Sequence, residues 1–222
     1  FGLPDVPDPF EDEIKQPSPD RLKQLLQHPF ATGLESLSLP FSDLGTRHAK
    51  VIASMKTLTQ LKSLNVRGNG LLGIDGLTIL VQSPHLRLRE FIVSNNFFID
   101  DNGTLLLAKG PNFHELLLLD ASWNDLDPMY IAASKAFPKL QHLILKNINV
   151  NYYEVILSSK TLTELQYIEF GPDIPSENII ATIQQMPDFR ERFPYLTRIN
   201  DYKRLEDGTW VKTTEAPPKL EY

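Results

Sequence analysis

The chain has 222 residues, 41% of them apolar, which is enough to bury one continuous core. It carries 28 Asp and Glu against 22 Lys and Arg, a formal net charge of −6 with no basic block, which argues against a nucleic-acid partner. It has no cysteine, which excludes disulfides, thiolate metal sites and thiol catalysis and favours a reducing compartment.

No apolar run approaches a membrane span, and the first residues lack the pattern of a signal peptide. With Phe1 in place of an initiator Met, the sequence reads as a processed or partial chain. Residues 1–17 hold five acidic residues and four prolines, the composition of an extended leader. Ser18, Pro19 and Asp20 then open a helix that ends before Pro29, with Leu22, Leu25 and Leu26 on one face. Residues 18–33 are expected to cap the exposed end of the first repeat.

The central stretch is repetitive. An eleven-residue pattern, apolar at positions one, four, six and usually eleven, starts at Leu34, Leu61, Leu88, Leu116, Leu140 and Leu165. All eighteen residues at positions one, four and six are apolar. In a chain that is 41% apolar, chance would give this about once in ten million tries, so the period is real. The spacings of 27, 27, 28, 24 and 25 residues belong to a solenoid. Position nine is Ser42, Asn69, Asn96, Asn124, Ile148 and Asp173, and an Asn there can bond backbone donors and acceptors where the strand bends away.

Between these strands the spacing turns helical, at Leu77–Val81, Leu105–Ala108, Tyr153–Leu157 and after Asp127-Pro128, the last helix taking in Ile131, Ala132, Ala136 and Phe137. Ser176 can cap a helix carrying Ile179, Ile180, Ile183 and Met186. The unit is strand, bend, helix, return, with wider helices outside and strands on a concave inside. The solenoid is expected over residues 34–187 and a C-terminal cap over 188–222. The cap includes a partial unit at Leu196 and Ile199 and a two-residue hairpin at Asp207-Gly208 that sets Leu205 opposite Trp210. The Pro217-Pro218 tail is expected to be loose.

Leu61–Leu71 (LKSLNVRGNGL), Leu88–Phe98 (LREFIVSNNFF) followed by IDDNGTLLLA, and Leu116–Leu126 (LLLLDASWNDL) resemble the ribonuclease-inhibitor-like leucine-rich repeats. The resemblance runs from about Leu34 to Met186. It implies an α/β, right-handed leucine-rich repeat solenoid of about six repeats, with parallel concave strands and convex helices. It also implies a protein-binding scaffold, a role shared by inhibitors, immune sensors and bacterial effectors. A cysteine-free member fits the cytoplasm, or a host cytosol for a bacterial effector.

Motifs for chemistry are weak by comparison. Gly68-Asn69-Gly70-Leu71-Leu72-Gly73 is a literal G-x-G-x-x-G, but Asn69 and Leu71 already hold repeat positions nine and eleven, and no acidic ribose partner ends the next strand. Asp120, Asp125 and Asp127 lack the spacing of a calcium loop. His28, His48, His85, His114 and His142 show no paired-ligand spacing and no nucleophile motif. Asn102-Gly103-Thr104 is a nominal glycosylation sequon better read as a turn opening a helix. No cofactor, metal or catalytic residue is therefore expected.

The outward positions carry more information. The first two copies are largely polar there, Pro40 and Phe41 apart, but Ile92, Leu117, Leu118, Trp123, Ile144 and Tyr167 all fall on the expected concave face. Ile92, Leu118, Ile144 and Tyr167 are expected as near neighbours, with Arg67, Asp120, His142, Lys146 and Glu169 among the polar residues around them. An apolar centre with an aromatic anchor and a charged rim predicts capture of a protein partner. Coverage by the chain's own ends or self-association is the competing use of this face. The expected function is a non-catalytic interaction module; the alternative is the targeting domain of an enzyme whose catalytic part lies outside this chain.

Overall fold

The computed structural model describes residues 18–97, 99–149, 152–218 and 220. The leader (residues 1–17) and two apolar position-eleven residues, Phe98 and Val150, therefore lie outside the described residues. The first half contains α1 (Pro19–Gln27), β1 (Ser36–Ser38), α2 (Thr46–Ser54), β2 (Ser63–Asn65), α3 (Gly73–Val81), β3 (Glu90–Ile92) and α4 (Asp101–Ala108). Next come β4 (Leu118–Asp120), α5 (Pro128–Ala132), β5 (His142–Ile144), α6 (Tyr153–Leu157), β6 (Tyr167–Glu169) and α7 (Ser176–Gln184). The chain closes with α8 (Phe189–Arg192), β7 (Arg198–Ile199), β8 (Tyr202–Arg204) and β9 (Trp210–Lys212). The strands form one sheet in chain order; β1 to β7 are parallel, β8 runs antiparallel to β7, and β9 runs antiparallel to β8.

Each copy of the sequence pattern supplies one strand from its positions three to five. The register sets Leu37, Leu64, Phe91, Leu119, Leu143 and Ile168 side by side. All six are buried, and they face the buried sides of the helices in one apolar cluster that runs from Leu22 to Ile199. Phe91, Phe113 and Phe137 stack within it, with ring centroids 5.5 and 5.9 Å apart. Alternate burial along each strand leaves positions three and five for the opposite face.

The asparagines at position nine form the expected ladder. Asn69 N–H donates to Asn96 Oδ1 (2.7 Å), and Asn96 N–H to Asn124 Oδ1 (3.0 Å). Each side-chain amide also donates to the carbonyls at positions six and seven of its own copy. Buried backbone groups at the bend are thereby satisfied without water.

A second ladder, invisible in the apolar pattern, closes the helix ends. The carbonyls of Leu26, Ala53, Leu80, Ala108, Ala132 and Leu157 recur at the same spacing as the strands, eight residues before each copy. Each accepts a bond from a side chain of the next unit: Thr57, Ser83, Asn112, Ser134, Ser159 and Arg192 in turn. Leu80 O also accepts from Ser83 N–H and Ala132 O from the Thr161 hydroxyl; the other four C-terminal carbonyls rely on this side-chain donor among the described residues.

Several expectations change. Ser18 caps α1 as anticipated, and Leu22 and Leu26 are buried, but Leu25 is half-exposed. The first copy has a full helix, α2, with His48, Ala49, Ile52 and Ala53 facing inward. Asp127 caps α5, which stops at Ala132, so Ala136 and Phe137 sit in the return segment. The α7 helix gains no side-chain cap from Ser176, whose hydroxyl donates to Asp201 at 2.7 Å instead.

The partial unit at Leu196 does supply a seventh parallel strand, β7. The hairpin pairs Arg204, not Leu205, with Trp210. Gly208 at φ +94° extends the turn by one residue, and bonds from Leu205 N–H to Thr209 O and from Gly208 N–H to Leu205 O close it. Among the described residues, no helix is long and apolar enough to cross a membrane.

Candidate functional site

The outward strand residues stand in two rows rather than one cluster. Position three gives Ser36, Ser63, Glu90, Leu118, His142, Tyr167 and Arg198; position five gives Ser38, Asn65, Ile92, Asp120, Ile144 and Glu169. Ile92 and Ile144 therefore flank Asp120 in one row, while Leu118 and Tyr167 flank His142 in the other. Ile92, Leu118, Asp120 and Ile144 are half-buried.

Tyr167 does not serve as an open anchor, because it is only 4% exposed. Its hydroxyl donates to Glu169 Oε2 at 2.7 Å, and its ring meets the His142 ring edge-on at 5.5 Å. Glu169 also pairs with Lys146 at 2.7 Å, so neither charge stands as a free rim. Beyond them, Tyr167 and Glu169 line a cavity of about 570 Å³ with Arg198, Asn200, Asp201 and Pro217. The C-terminal segment thus closes in on this end of the face. Its anchors are Thr213 N–H donating to Asp201 O and Glu215 paired with Lys203, so the stretch before Pro217-Pro218 is tied down.

His142, expected as a rim residue, is 5% exposed, and its Nε2 has no partner among the described residues. Burial lowers its pKa to about 4, so the ring is neutral at physiological pH. Burial, and then the bond to Glu169, push the Tyr167 phenol above its usual range. Leu117 is buried as well.

Trp123 lies beyond the end of β4, in the bend rather than on the strand face. It occupies position eight, where the backbone is left-handed in five successive copies: Phe41 (φ +51°), Gly68 (+69°), Asn95 (+58°), Trp123 (+57°) and Asn147 (+61°). The first four donate their N–H to the position-seven carbonyl of the next copy, at 2.8 to 3.0 Å, so the stack continues past the strands. Glycine and asparagine suit this conformation; a bulky aromatic residue there costs about 1–2 kcal/mol. Phe41 and Trp123 bear that cost, and so does Phe97 at position ten (φ +53°). None of the three is buried, and Phe97 is 76% exposed. Arg67 is exposed, but its guanidinium lies 5.4 Å over the Phe41 ring, which itself covers Gly68.

The other exposed large apolar side chains of the repeats share this edge. Ile74 and Met129 lie in the first turns of α3 and α5, and Tyr152 immediately precedes α6. The remaining exposed ones, Leu25, Phe30, Tyr195, Leu205 and Val211, belong to the two ends. Among the described residues of copies one to five, every exposed large apolar side chain thus lies between a strand end and the next helix's first turn. Sequence periodicity could not find this edge, because positions eight and ten have no fixed polarity; aromatic residues where Gly and Asn otherwise recur were the available signal.

The edge is acidic at its centre. Asp100, Asp101, Asp125 and Asp127 line a cavity of about 360 Å³ with Asn102, Leu126 and Tyr152. Asp100 accepts from Asn102 and Gly103 N–H, and Asp127 accepts from Met129 N–H. Asp101 and Asp125 are exposed.

The G-x-G-x-x-G segment is filled by the chain itself. The Asn69 amide turns inward to five backbone atoms, those of Ser42, Leu44, Leu39, Val66 and Arg67. Among the described residues, no group of three His, Asp or Glu converges as metal ligands. Scans of the chain against protein-family models and against curated proteins return no match.

Proposed function

We propose that this chain is a non-catalytic leucine-rich repeat module of the ribonuclease-inhibitor-like kind, which captures a protein partner. The binding surface joins the outer strand residues Ile92, Leu118, Asp120 and Ile144 to the adjoining strand-to-helix edge. One observation carries the reading: Phe41, Phe97 and Trp123 are held exposed on left-handed backbone. Strain of that kind persists where something other than folding rewards it, and exposed apolar side chains gathered on one edge favour a binding surface. The surface is centred one turn later along the chain than the sequence suggested, because Tyr167 and His142 are covered and Trp123 sits in the bend.

The test is a pull-down from cell lysate with wild type and with Phe97→Asn/Trp123→Asn, read by mass spectrometry. Asn already occupies position eight, that of Trp123, in copies three and five, and Asn also suits the left-handed backbone at Phe97. A protein retained by wild type and lost by the double variant supports the reading. Identical profiles from two equally stable proteins overturn it.

A further inference from the structure

Resting on that reading, we propose that the partner presents a cationic segment, Lys or Arg interspersed with apolar side chains, and that this segment lies along the strand-to-helix edge of copies three to five. The argument is charge complementarity on an apolar surface. Phe97, Trp123, Met129 and Tyr152 are exposed along this stretch of edge. Asp100, Asp101, Asp125 and Asp127 stand among them, four carboxylates lining one cavity with the Tyr152 side chain and no Lys or Arg in that lining.

Two of the carboxylates have structural work, since Asp100 and Asp127 cap helices through backbone N–H groups. Asp101 also sits in the first turn of α4, where a negative charge complements the helix dipole. Asp125 has neither role and makes no hydrogen bond or ion pair among the described residues. Among the described residues between strand end and first helix turn in copies three to five, the one cation is Lys146, and it pairs with Glu169. The centre of the edge is thus negative and uncompensated, and a neutral or acidic apolar partner would leave carboxylates desolvated without a counter-charge. A cation among the aromatic rings gains from both the carboxylates and the ring faces.

The probe is a set of immobilised twelve-residue peptides sharing alternate Leu and Trp positions, with the intervening positions all Arg, all Ser or all Glu. Wild type is expected to bind the Arg peptide at least tenfold more tightly than the Ser peptide and not to bind the Glu peptide. Affinity for the Arg peptide should fall with added salt. Asp101→Asn/Asp125→Asn, which spares both helix caps, should remove most of the preference for Arg. Phe97→Asn/Trp123→Asn should weaken binding of the Arg and Ser peptides alike. Binding that ignores the peptide's charge, a preference for Glu, or an Arg preference unchanged in the aspartate variant overturns the proposal. If no peptide binds while the lysate pull-down retains a partner through Phe97 and Trp123, the cationic assignment falls and the binding module stands; failure of both removes both.

Discussion

Truncating the three ladder asparagines should produce a graded loss of stability whose order depends on which backbone groups each one leaves without a partner. Asn96→Ala removes four bonds, yet the three carbonyls it serves each keep another donor. Val66 O retains Asn69 Nδ2, Val93 O retains Asn124 Nδ2, and Ser94 O retains Gly68 N–H. Only the Asn69 N–H is orphaned. Asn124→Ala orphans the Asn96 N–H and also takes the donor from Ala121 O. Asn69→Ala orphans two donors, Ser42 N–H and Leu44 N–H, and takes the donor from Leu39 O.

At roughly 1–3 kcal/mol per unsatisfied buried group, the expected losses are about 2 kcal/mol for Asn96, about 3 for Asn124 and about 4–5 for Asn69. Urea unfolding monitored by far-ultraviolet circular dichroism measures them, with the slope m checked for constancy because a repeat array can lose cooperativity. A flat series, or one in which Asn96 is the most costly, would refute the accounting of shared carbonyls.

Leu119→Ala, in the centre of the sheet between Phe91 and Leu143, should cost about 2–5 kcal/mol in the same assay. The neutral, buried His142 makes stability depend on pH. Its folded pKa of about 4 lies below the unfolded value of 6.5, so its contribution is full above pH 6.5 and is lost as pH falls from there towards 4. The loss is at most about 3 kcal/mol, and His142→Gln should flatten the melting temperature across that window. Gly68→Ala places a Cβ on the Phe41 ring at φ +69°, so it should displace that ring from Arg67 and cost about 1–2 kcal/mol. In a Phe41→Ala background the backbone part should persist; a cost of zero there would show that the left-handed conformation is not what the glycine supplies.

The parallel strands and their register were legible because positions one, four and six repeat with a fixed polarity, and one face of each strand must be buried. The asparagine ladder was legible because that side chain alone satisfies both kinds of backbone group at a bend. The helix-end ladder was missed because Thr, Ser, Asn and Arg can all donate, so chemistry was preserved without a residue pattern. In the candidate site, Ile92, Leu118, Asp120 and Ile144 were placed by alternation alone. Tyr167 and His142 were misjudged because the two rings pack against each other across adjacent strands and the phenol bonds to Glu169, contacts between side chains that no apolar period encodes. Trp123 was misplaced because the outward positions were carried to position eight, three residues past the end of β4, where the backbone is left-handed.

The reversal of direction at β8 has a consequence for how copies of this protein meet. A sheet that ended on a bare repeat strand would offer a neighbouring molecule a template for its own first strand. Here the chain turns back at β8 and again at β9, and this last strand is three residues long, with its Lys212 drawn to Asp201 and Glu177. A short, charged hairpin strand is a poor template for a further strand. The hairpin thus borders the sheet with a short strand whose charge is already drawn to its own chain, so the last layer is unlike the layers stacked before it.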